Sequence, residues 1–107
     1  MEILEYLTQD GQSPFDVWLC GLRDHSARAR IRVLLDRVRL DNLGDYRSVG
    51  DGVYELRIPY GPAYRIYFGL PARAEMLLLT GGDKGSQRRD IERAKAYWHE
   101  YRNRNDG

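Results

Sequence analysis

Residues 52–85 have the sequence GVYELRIPYGPAYRIYFGLPARAEMLLLTGGDKG. Apolar and polar side chains alternate over residues 53–58 and again over 64–68, and the segment PYGPA joins the two runs. Alternation is typical of a half-buried strand, and a short link that contains Gly predicts a hairpin. If Ile58 pairs with Tyr64, Arg57 lies directly opposite Arg65, where like charges are destabilising. We therefore expect the two arginines either to splay into water or to bind an anion.

The two faces of this hairpin differ in character, and two further elements follow it. The apolar face would carry Tyr54, Leu56, Ile58, Tyr64, Ile66 and Phe68, and the other face Val53, Glu55, Arg57, Arg65 and Tyr67. The apolar run EMLLLT at residues 75–80 is typical of a central strand that is covered on both faces. The segment GGDKG ends that strand, and Ser86 is expected to cap a final helix over residues 87–102, before a frayed tail at 103–107.

The N-terminal half contributes one strand and two helices. Residues 2–7 are mostly apolar and predict a strand. Ser13 precedes Pro14, which suits the first helical position, so a helix is expected over residues 14–22. Asp24 or Ser26 begins a second helix that reaches about residue 40, and residues 42–52 are rich in turn formers and predict a connecting loop. The second helix has an apolar stripe at Ala27, Ile31, Leu34, Leu35 and Val38.

These elements predict one α+β domain over residues 1–107, with a small, mainly antiparallel sheet in the order β-α-α-β-β-β-α and helices packed against it. A chain of this length suits one modest core. The single cysteine, Cys20, excludes an intrachain disulfide, and we expect it to be buried. With only two histidines besides, we expect no metal site and no cofactor.

The charged residues are nearly balanced but unusual in kind. The formal net charge is +1, from 17 Lys and Arg against 16 Asp and Glu, and lysine occurs only at Lys84 and Lys95. Arginine offers a flat, permanently charged fork that suits phosphate, so any nucleic-acid contact depends on where the arginines lie. The chain has no apolar run that would span a bilayer and no N-terminal signal pattern, so we expect a cytoplasmic protein with no membrane partner.

Four features of the C-terminal half predict a phosphate site. Arg57 and Arg65 lie on one hairpin face, Lys84 lies in a Gly-rich loop after a strand, and Ser86 opens a helix whose free N–H groups favour an anion. Each feature also has a structural interpretation. Arg57 could pair with Glu55 or Glu75 at the surface, and GGDKGS could be a simple strand-to-helix turn.

The basic face of the second helix has two interpretations. Arg28, Arg32 and Arg39 lie on one side, with Arg30 and Arg37 beside them. A run of charges is usually a solvated helix face. The alternative is a surface that contacts phosphates or an acidic partner.

The segments GVYELRIPYGPAYRIYF and LLLTGGDKGSQRRDIERAKAYW resemble the RelE/HigB superfamily of type II toxin–antitoxin toxins. The similarity is greatest to the phage-derived HigB-like branch, the addiction-module killer proteins, and covers nearly the whole chain. The resemblance implies the RelE-like toxin fold and a ribosome-dependent mRNA endoribonuclease, in which a ribose 2′-OH attacks the adjacent phosphate. It also implies a helix-turn-helix, HigA-like antitoxin, through which alone the toxin would reach operator DNA.

The resemblance assigns roles to three basic residues. Arg65 occupies the place of the strand arginine that stabilises the scissile phosphate, Arg57 that of a basic residue on the preceding strand, and Lys84 a position near a second catalytic basic residue. Arginine is a poor base, so the proton must be moved by another group. We rank Lys84 first, then Tyr60 or Tyr64, then Asp83.

The same resemblance leaves the ribosome contact and the toxin class to be tested. The arginines of the second helix, above all Arg28, Arg32 and Arg39, would meet ribosomal RNA, and Ser86 would help to bind the phosphate. One alternative is a ParE-like toxin that acts on DNA gyrase without nuclease chemistry. The other is a catalytically inert module that only binds an antitoxin.

Overall fold

A computed structural model describes residues 1–106 and shows five strands and three α-helices, each bounded as follows. They are β1 (Glu2–Glu5), α1 (Pro14–Gly21), α2 (His25–Arg39), β2 (Tyr46–Gly50), β3 (Val53–Ile58), β4 (Tyr64–Gly69), β5 (Glu75–Gly82) and α3 (Gln87–Asp106), with a 3-10 turn at Lys84–Ser86 before α3. The strands form one sheet in the order β1-β5-β4-β3-β2. β1 is parallel to β5 and the other three pairings are antiparallel, so the α+β class and the mainly antiparallel sheet are confirmed.

Helices cover both faces of the sheet. On one face α1 and α2 pack Phe15, Leu19, Ile31 and Leu35 against alternate residues of β3, β4 and β5. On the other face α3 packs Ala94 and Trp98 against a second apolar cluster that includes residues of β3, β4 and β5. β4 is buried along its whole length and is the middle strand of the sheet. β5 was expected at the centre and lies one place away, between β1 and β4, but it is covered on both faces as predicted.

α1 begins at its predicted cap, Ser13, and α2 begins at Asp24, one of the two predicted starts. The Ser13 hydroxyl accepts a hydrogen bond from the backbone N–H of Asp16 at 3.0 Å, and Pro14 is the first residue of α1. The Asp24 carboxylate accepts from the N–H groups of Ser26 and Ala27 at 2.9 and 3.2 Å. None of the helices in the described part of the chain is both long enough and apolar enough to cross a lipid bilayer.

The strand β2 corrects the predicted order. Residues 42–52 were expected to be a loop, but Tyr46–Gly50 pairs with β3, so the order is β-α-α-β-β-β-β-α. A two-residue turn, Asp51-Gly52, joins the strands with φ of 56° and 83°. Asp-Gly is a strong hairpin signal because both positions of such a turn need positive φ. The expectation failed because β2 is a mostly exposed edge strand with little apolar periodicity.

Three further expectations are wrong. The tail at 103–107 was expected to be frayed, but α3 continues to Asp106, and Gly107 lies outside the described residues. Asp83, not Ser86, is the capping residue at the start of the 3-10 turn, since its carboxylate accepts from the N–H of Ser86. Cys20 is exposed rather than buried, because it lies on the outer side of α1.

Candidate functional site

The register of the central hairpin is the predicted one. Ile58 pairs with Tyr64 and Arg57 lies opposite Arg65. The two arginines nevertheless have different surroundings, because Arg65 is 8% exposed at its side chain and Arg57 is 50% exposed. The helix α3 covers the sheet on the side of Arg65, whereas Arg57 lies nearer the uncovered edge strand β2.

A fully buried carboxylate, that of Glu55, lies beside Arg65. The Nε atom of Arg65 is 3.3 Å from Oε2 of Glu55, and Nη1 of Arg65 donates to the carbonyl oxygen of Ala63 at 3.0 Å. The Nη1 hydrogen bond and the ion pair restrain the guanidinium, while Nε has no hydrogen-bond partner among the described residues. Arg65 is therefore held by a buried ion pair rather than free to splay into water.

Two other side chains donate hydrogen bonds to the carboxylate of Glu55. Arg47 of β2 donates from Nε to Oε1 at 3.0 Å, and Gln87 at the start of α3 donates from Nε2 to Oε2 at 2.8 Å. Burial alone would raise the pKa of Glu55, but the hydrogen bonds from Gln87 and Arg47 and the charges of Arg47 and Arg65 outweigh it and lower that pKa. The carboxylate is therefore ionised at neutral pH.

The Tyr67 hydroxyl lies in the same buried region. It is inaccessible to solvent and has no hydrogen-bond partner among the described residues. Burial, and then the neighbouring charge of Glu55, raises the pKa of Tyr67 far above its usual value. Tyr67 is thus a neutral phenol, unsuited to act as a base.

Arg57 has an acidic partner of its own. Its Nε is 3.3 Å from Oδ2 of Asp45, and its backbone N–H donates to the carbonyl oxygen of Asp45 at 3.0 Å. The sequence offered Glu55 or Glu75 as a surface partner of Arg57, but the observed partner is Asp45. Glu55 serves Arg65 and Asp45 serves Arg57, and the second contact depends on the segment that was taken for a loop.

The loop after β5 lies at the same end of the sheet as the two arginines. Gly82 is the pairing partner of Arg65 on β5, and the backbone N–H of Lys84 donates to the carbonyl oxygen of Pro62 in the hairpin link at 3.3 Å. The Lys84 side chain is exposed. The predicted convergence of Arg57, Arg65 and Lys84 at one end of the sheet is therefore present in the backbone.

Asp83 and Ser86 form hydrogen bonds with each other. The N–H of Ser86 donates to Oδ1 of Asp83 at 3.1 Å, the N–H of Asp83 donates to the Ser86 hydroxyl at 3.3 Å, and that hydroxyl donates to buried Asp90. This reciprocal arrangement is a capping box. The helix start is thus already capped by the protein and does not offer the free N–H of Ser86 to an anion.

The two glycines at the end of β5 make room for side chains. A Cβ atom at Gly81 would lie 2.2 Å from Cε3 of Trp18, and one at Gly82 would lie 1.8 Å from Oδ2 of Asp90. Neither glycine has a positive φ. The Gly-Gly pair therefore accommodates packing from α1 on one face and from α3 on the other, and is not needed for an unusual backbone conformation.

The two tyrosines of the hairpin lie apart from Arg65. Tyr64 follows the alternation of β4 onto the opposite face, where it is buried against Trp18 at a ring distance of 6.1 Å. Burial, followed by the charges of Asp24 and Asp83, raises the pKa of Tyr64. Tyr60 donates from its hydroxyl to Oδ2 of Asp24 at 3.2 Å. Both tyrosines tie the hairpin to the α1–α2 layer.

A cleft of about 530 Å³ lies between α1 and α3 at the end of β5. Asp83, Ser86 and Asp90 line it together with Arg89, Arg93 and Trp18. Arg57 and Tyr60 instead line a separate groove beside α2. The structure thus divides the predicted site residues between two concave surfaces, with Arg65 buried between the sheet and α3.

The basic residues of α2 lie on different surfaces of the protein and do not form one cluster. Arg32 and Arg39 lie on the side of β1 and α1, and Arg39 pairs with Asp36 at 2.7 Å, with both groups exposed. Arg28 is half-buried and contacts the His25 ring.

Among the described residues, no group of three His, Cys, Asp or Glu side chains could hold a metal ion.

Sequence reasoning missed the buried partners of Arg65. Glu55 was placed on the correct face but was considered only as a surface partner of Arg57. A signal was present: Glu55 lies opposite Tyr67 in the hairpin register, so Glu55 is a diagonal cross-strand neighbour of Arg65, at a distance that long side chains can bridge. Nothing in the local sequence could show that Gln87 and α3 would cover this position.

A protein of Haemophilus influenzae, described only as uncharacterized, is 43% identical to this chain over 81 residues, which are 76% of this chain and 82% of the relative. The chain belongs to the same family as that protein. No profile of a known protein family matches the chain. The relationship therefore adds no activity to what the geometry supports.

Proposed function

We propose that this protein is the toxin of a type II toxin–antitoxin system, with the RelE-like toxin fold, and that it cleaves mRNA on the ribosome in the cytoplasm. The observation that carries the proposal is the fixed guanidinium of Arg65, with Arg57 opposite it and the Lys84 loop one strand away. Three cationic residues at one end of a sheet suit a phosphodiester. The resemblance of residues 52–68 and 77–98 to the HigB-like branch favours RNA as the source of that phosphate.

The proposed reaction needs charge stabilisation at a crowded phosphate. The ribose 2′-oxygen forms a bond to phosphorus and the bond from phosphorus to the 5′-oxygen breaks, which gives a 2′,3′-cyclic phosphate and a 5′-hydroxyl. Neither recorded contact of Arg65 uses Nη2, so that nitrogen is the one to reach a non-bridging phosphate oxygen. Preorganised donors of this kind supply a large share of catalysis because they need no reorganisation during the reaction.

The buried carboxylate is a positioning group in this scheme. The ion pair with Glu55 and the hydrogen bond to the Ala63 carbonyl restrain Arg65, and the lowered pKa of Glu55 keeps the carboxylate charged and the ion pair intact. Arg57 is half-exposed and its pairing with Asp45 is the kind of exposed contact that a phosphate can displace at little cost. Restrained Arg65 would orient the phosphate, and the half-exposed side chain of Arg57 would adjust its position to contact it.

The proposed mechanism also needs a group that moves the proton, and the candidates for it differ in their surroundings. Lys84 is exposed near the same end of the sheet and remains the first candidate for the group that moves the proton. Tyr64 is less suitable because burial raises its pKa and its side chain lies on the opposite face. Tyr60 and Asp83 are engaged with Asp24 and Ser86. The ribosome would then contribute by holding the mRNA in a reactive geometry.

The partners follow from the same proposal. A helix-turn-helix antitoxin would bind and neutralise the protein, and operator DNA would be bound through that antitoxin. Arg28, Arg32 and Arg39 would contact ribosomal RNA along α2. Arg32 and Arg39 lie on one side of the helix, away from the groove that Arg57 lines, on a surface that they share with Glu5, Asp16 and Asp36.

One observation favours a second candidate function, an inert module that only binds an antitoxin. Arg65 is only 6% exposed and is already neutralised by Glu55, as in a structural ion pair. A phosphate can reach such a group only through the small exposed part of the side chain. The two candidates differ in whether expression of the protein leads to cleaved mRNA.

Primer extension on mRNA from cells that express the protein tests the proposal. We expect codon-linked cuts that depend on translation with the wild type, and no cuts with Arg65→Ala or Arg57→Ala. Arg57→Ala is included because a half-exposed residue can be removed without loss of the fold. Arg73→Ala is the matched control, since Arg73 is exposed in the turn at the opposite end of β4, and it should cut like the wild type.

The outcomes distinguish the candidates. Cuts that persist in Arg65→Ala would contradict the assignment of Arg65. A DNA damage response without mRNA cuts would indicate a gyrase-directed toxin, and no growth effect from the folded wild-type protein would indicate the inert module. Thermal unfolding of each purified variant shows whether a lost activity reflects a lost fold.

A further inference from the structure

A groove runs between α2 and the end of β3, and its floor is apolar. Val33 and Leu34 of α2 face Ile58, Pro59 and Tyr60 across a volume of about 360 Å³. Val33 is 50% exposed. We call this surface the α2–β3 groove.

The rim of the α2–β3 groove is basic. Arg30 and Arg37 line it from α2, one helical face apart from Arg32, and Arg57 lines it from β3. No acidic residue lines the groove, and neither Arg30 nor Arg37 forms an ion pair within the described part of the chain. Two uncompensated charges and one weakly paired one thus surround an apolar trough.

We propose that the α2–β3 groove binds an acidic, amphipathic segment of a partner protein. An apolar ridge on the segment would bury Val33 and Leu34, and its carboxylates would pair with Arg30 and Arg37. Charge complementarity of this kind selects the partner and its orientation, while the apolar contact provides the larger part of the affinity. The inference goes beyond the proposed nuclease activity and does not require it.

The chemistry of the groove disfavours single-stranded RNA as its occupant. Binding of unpaired bases depends on open aromatic faces on which bases stack. Tyr60 is the aromatic residue of the groove, and the guanidinium of Arg30 already lies over its ring at 4.3 Å from the centroid. The rest of the floor is aliphatic or Pro, which suits Leu, Ile or Val side chains of a peptide.

Fluorescence anisotropy with a designed peptide tests this inference. The probe is a fluorescein-labelled peptide of roughly 15 residues with leucines at i, i+3, i+4 and i+7 and glutamates on the flanking positions, titrated with the full chain. We expect saturable binding to the wild type. Arg30→Glu, Arg37→Glu and Val33→Asp should each raise the Kd about tenfold, since each changes an exposed residue that the segment would contact.

The control is a charge reversal far from the groove. Arg73→Glu makes the same change in net charge in the turn between β4 and β5, at the opposite end of the hairpin, and should bind like the wild type. A peptide with lysine in place of each glutamate, and one with serine in place of each leucine, should both fail to bind. Circular dichroism confirms that the variants are folded.

Three results would overturn the proposal. The first is equal binding of the acidic peptide to the wild type and to Arg30→Glu and Arg37→Glu. The second is no binding of the acidic peptide to the wild type at low salt, where charge pairing is strongest. The third is tighter binding of a labelled single-stranded RNA, lost in Arg37→Glu, which would assign the groove to nucleic acid. Because the readout is binding alone, a failure here leaves the mRNA cleavage result unaffected.

Discussion

Replacement of Glu55 by Gln tests the buried ion pair around which the site is built. The change keeps the volume of the side chain and removes its charge. Arg65, 8% exposed, would then lie without a counter-ion, whereas Arg47, 56% exposed, can turn into water. Removal of one partner of a buried pair costs about 3–5 kcal/mol because the other charge remains uncompensated. Since only one of the two arginines is trapped, we expect the lower figure, about 3 kcal/mol.

Urea unfolding followed by tryptophan fluorescence measures this loss, since Trp98 lies in the core under α3. A change of 1 kcal/mol shifts the Tm of a domain of this size by roughly 4–8 °C, so in a thermal melt Glu55→Gln should unfold about 12–24 °C below the wild type. The matched control is Glu92→Gln on the exposed side of α3, which should stay within about 0.5 kcal/mol of the wild type.

A double-mutant cycle with Arg65→Met assigns the loss to the pair. If Glu55 acts through Arg65, the double variant should be more stable than the sum of the single changes predicts, by about 2 kcal/mol. The reasoning would be refuted if Glu55→Gln were as stable as the wild type, or if the two changes were simply additive.

Three other predictions concern pH, packing and capping. The folded pKa of Glu55 is lowered, so its contribution to stability is present above the unfolded pKa of about 4.3 and is lost as pH falls through the folded pKa. The difference in unfolding free energy between the wild type and Glu55→Gln, measured by urea unfolding, should therefore be constant above about pH 5 and become smaller below about pH 4. Gly81→Ala should cost about 1–3 kcal/mol because its Cβ would lie 2.2 Å from Trp18, whereas Gly21→Ala meets nothing within 4 Å and should cost nothing in the same thermal melts. Asp83→Ala should lose about 1 kcal/mol, with faster amide hydrogen exchange at the start of α3, and unchanged exchange there would contradict the capping role.

The sequence predicted the central hairpin because its signals are local. Alternation over 53–58 and 64–68 indicated the faces, and the pairing of Ile58 with Tyr64, assumed across the short link, is the observed register that places Arg57 opposite Arg65. Caps at Ser13 and Asp24 were likewise predictable, since a capping side chain bonds to N–H groups two or three residues away.

The surroundings of the arginines could not be predicted in the same way. Arg47 and Gln87 reach Glu55 from sequence separations of 8 and 32 residues, through a strand with little apolar character and a helix that folds over the sheet. The sign of the charges was visible in the sequence, but their burial depends on which helix covers which face. The same limit explains the Gly-Gly pair, whose purpose is clear only when Trp18 and Asp90 are seen against it.

The outer edge of the sheet has a consequence for behaviour at high concentration. An exposed edge strand can pair with another molecule and start aggregation, and proteins prevent this with short, bulged or charged edges. β2 has five residues, an irregular register between Ser48 and Gly50, and an Arg47 side chain directed inward to Glu55. The arginine that neutralises the buried carboxylate thus also helps to keep the open side of the sheet from recruiting a second chain.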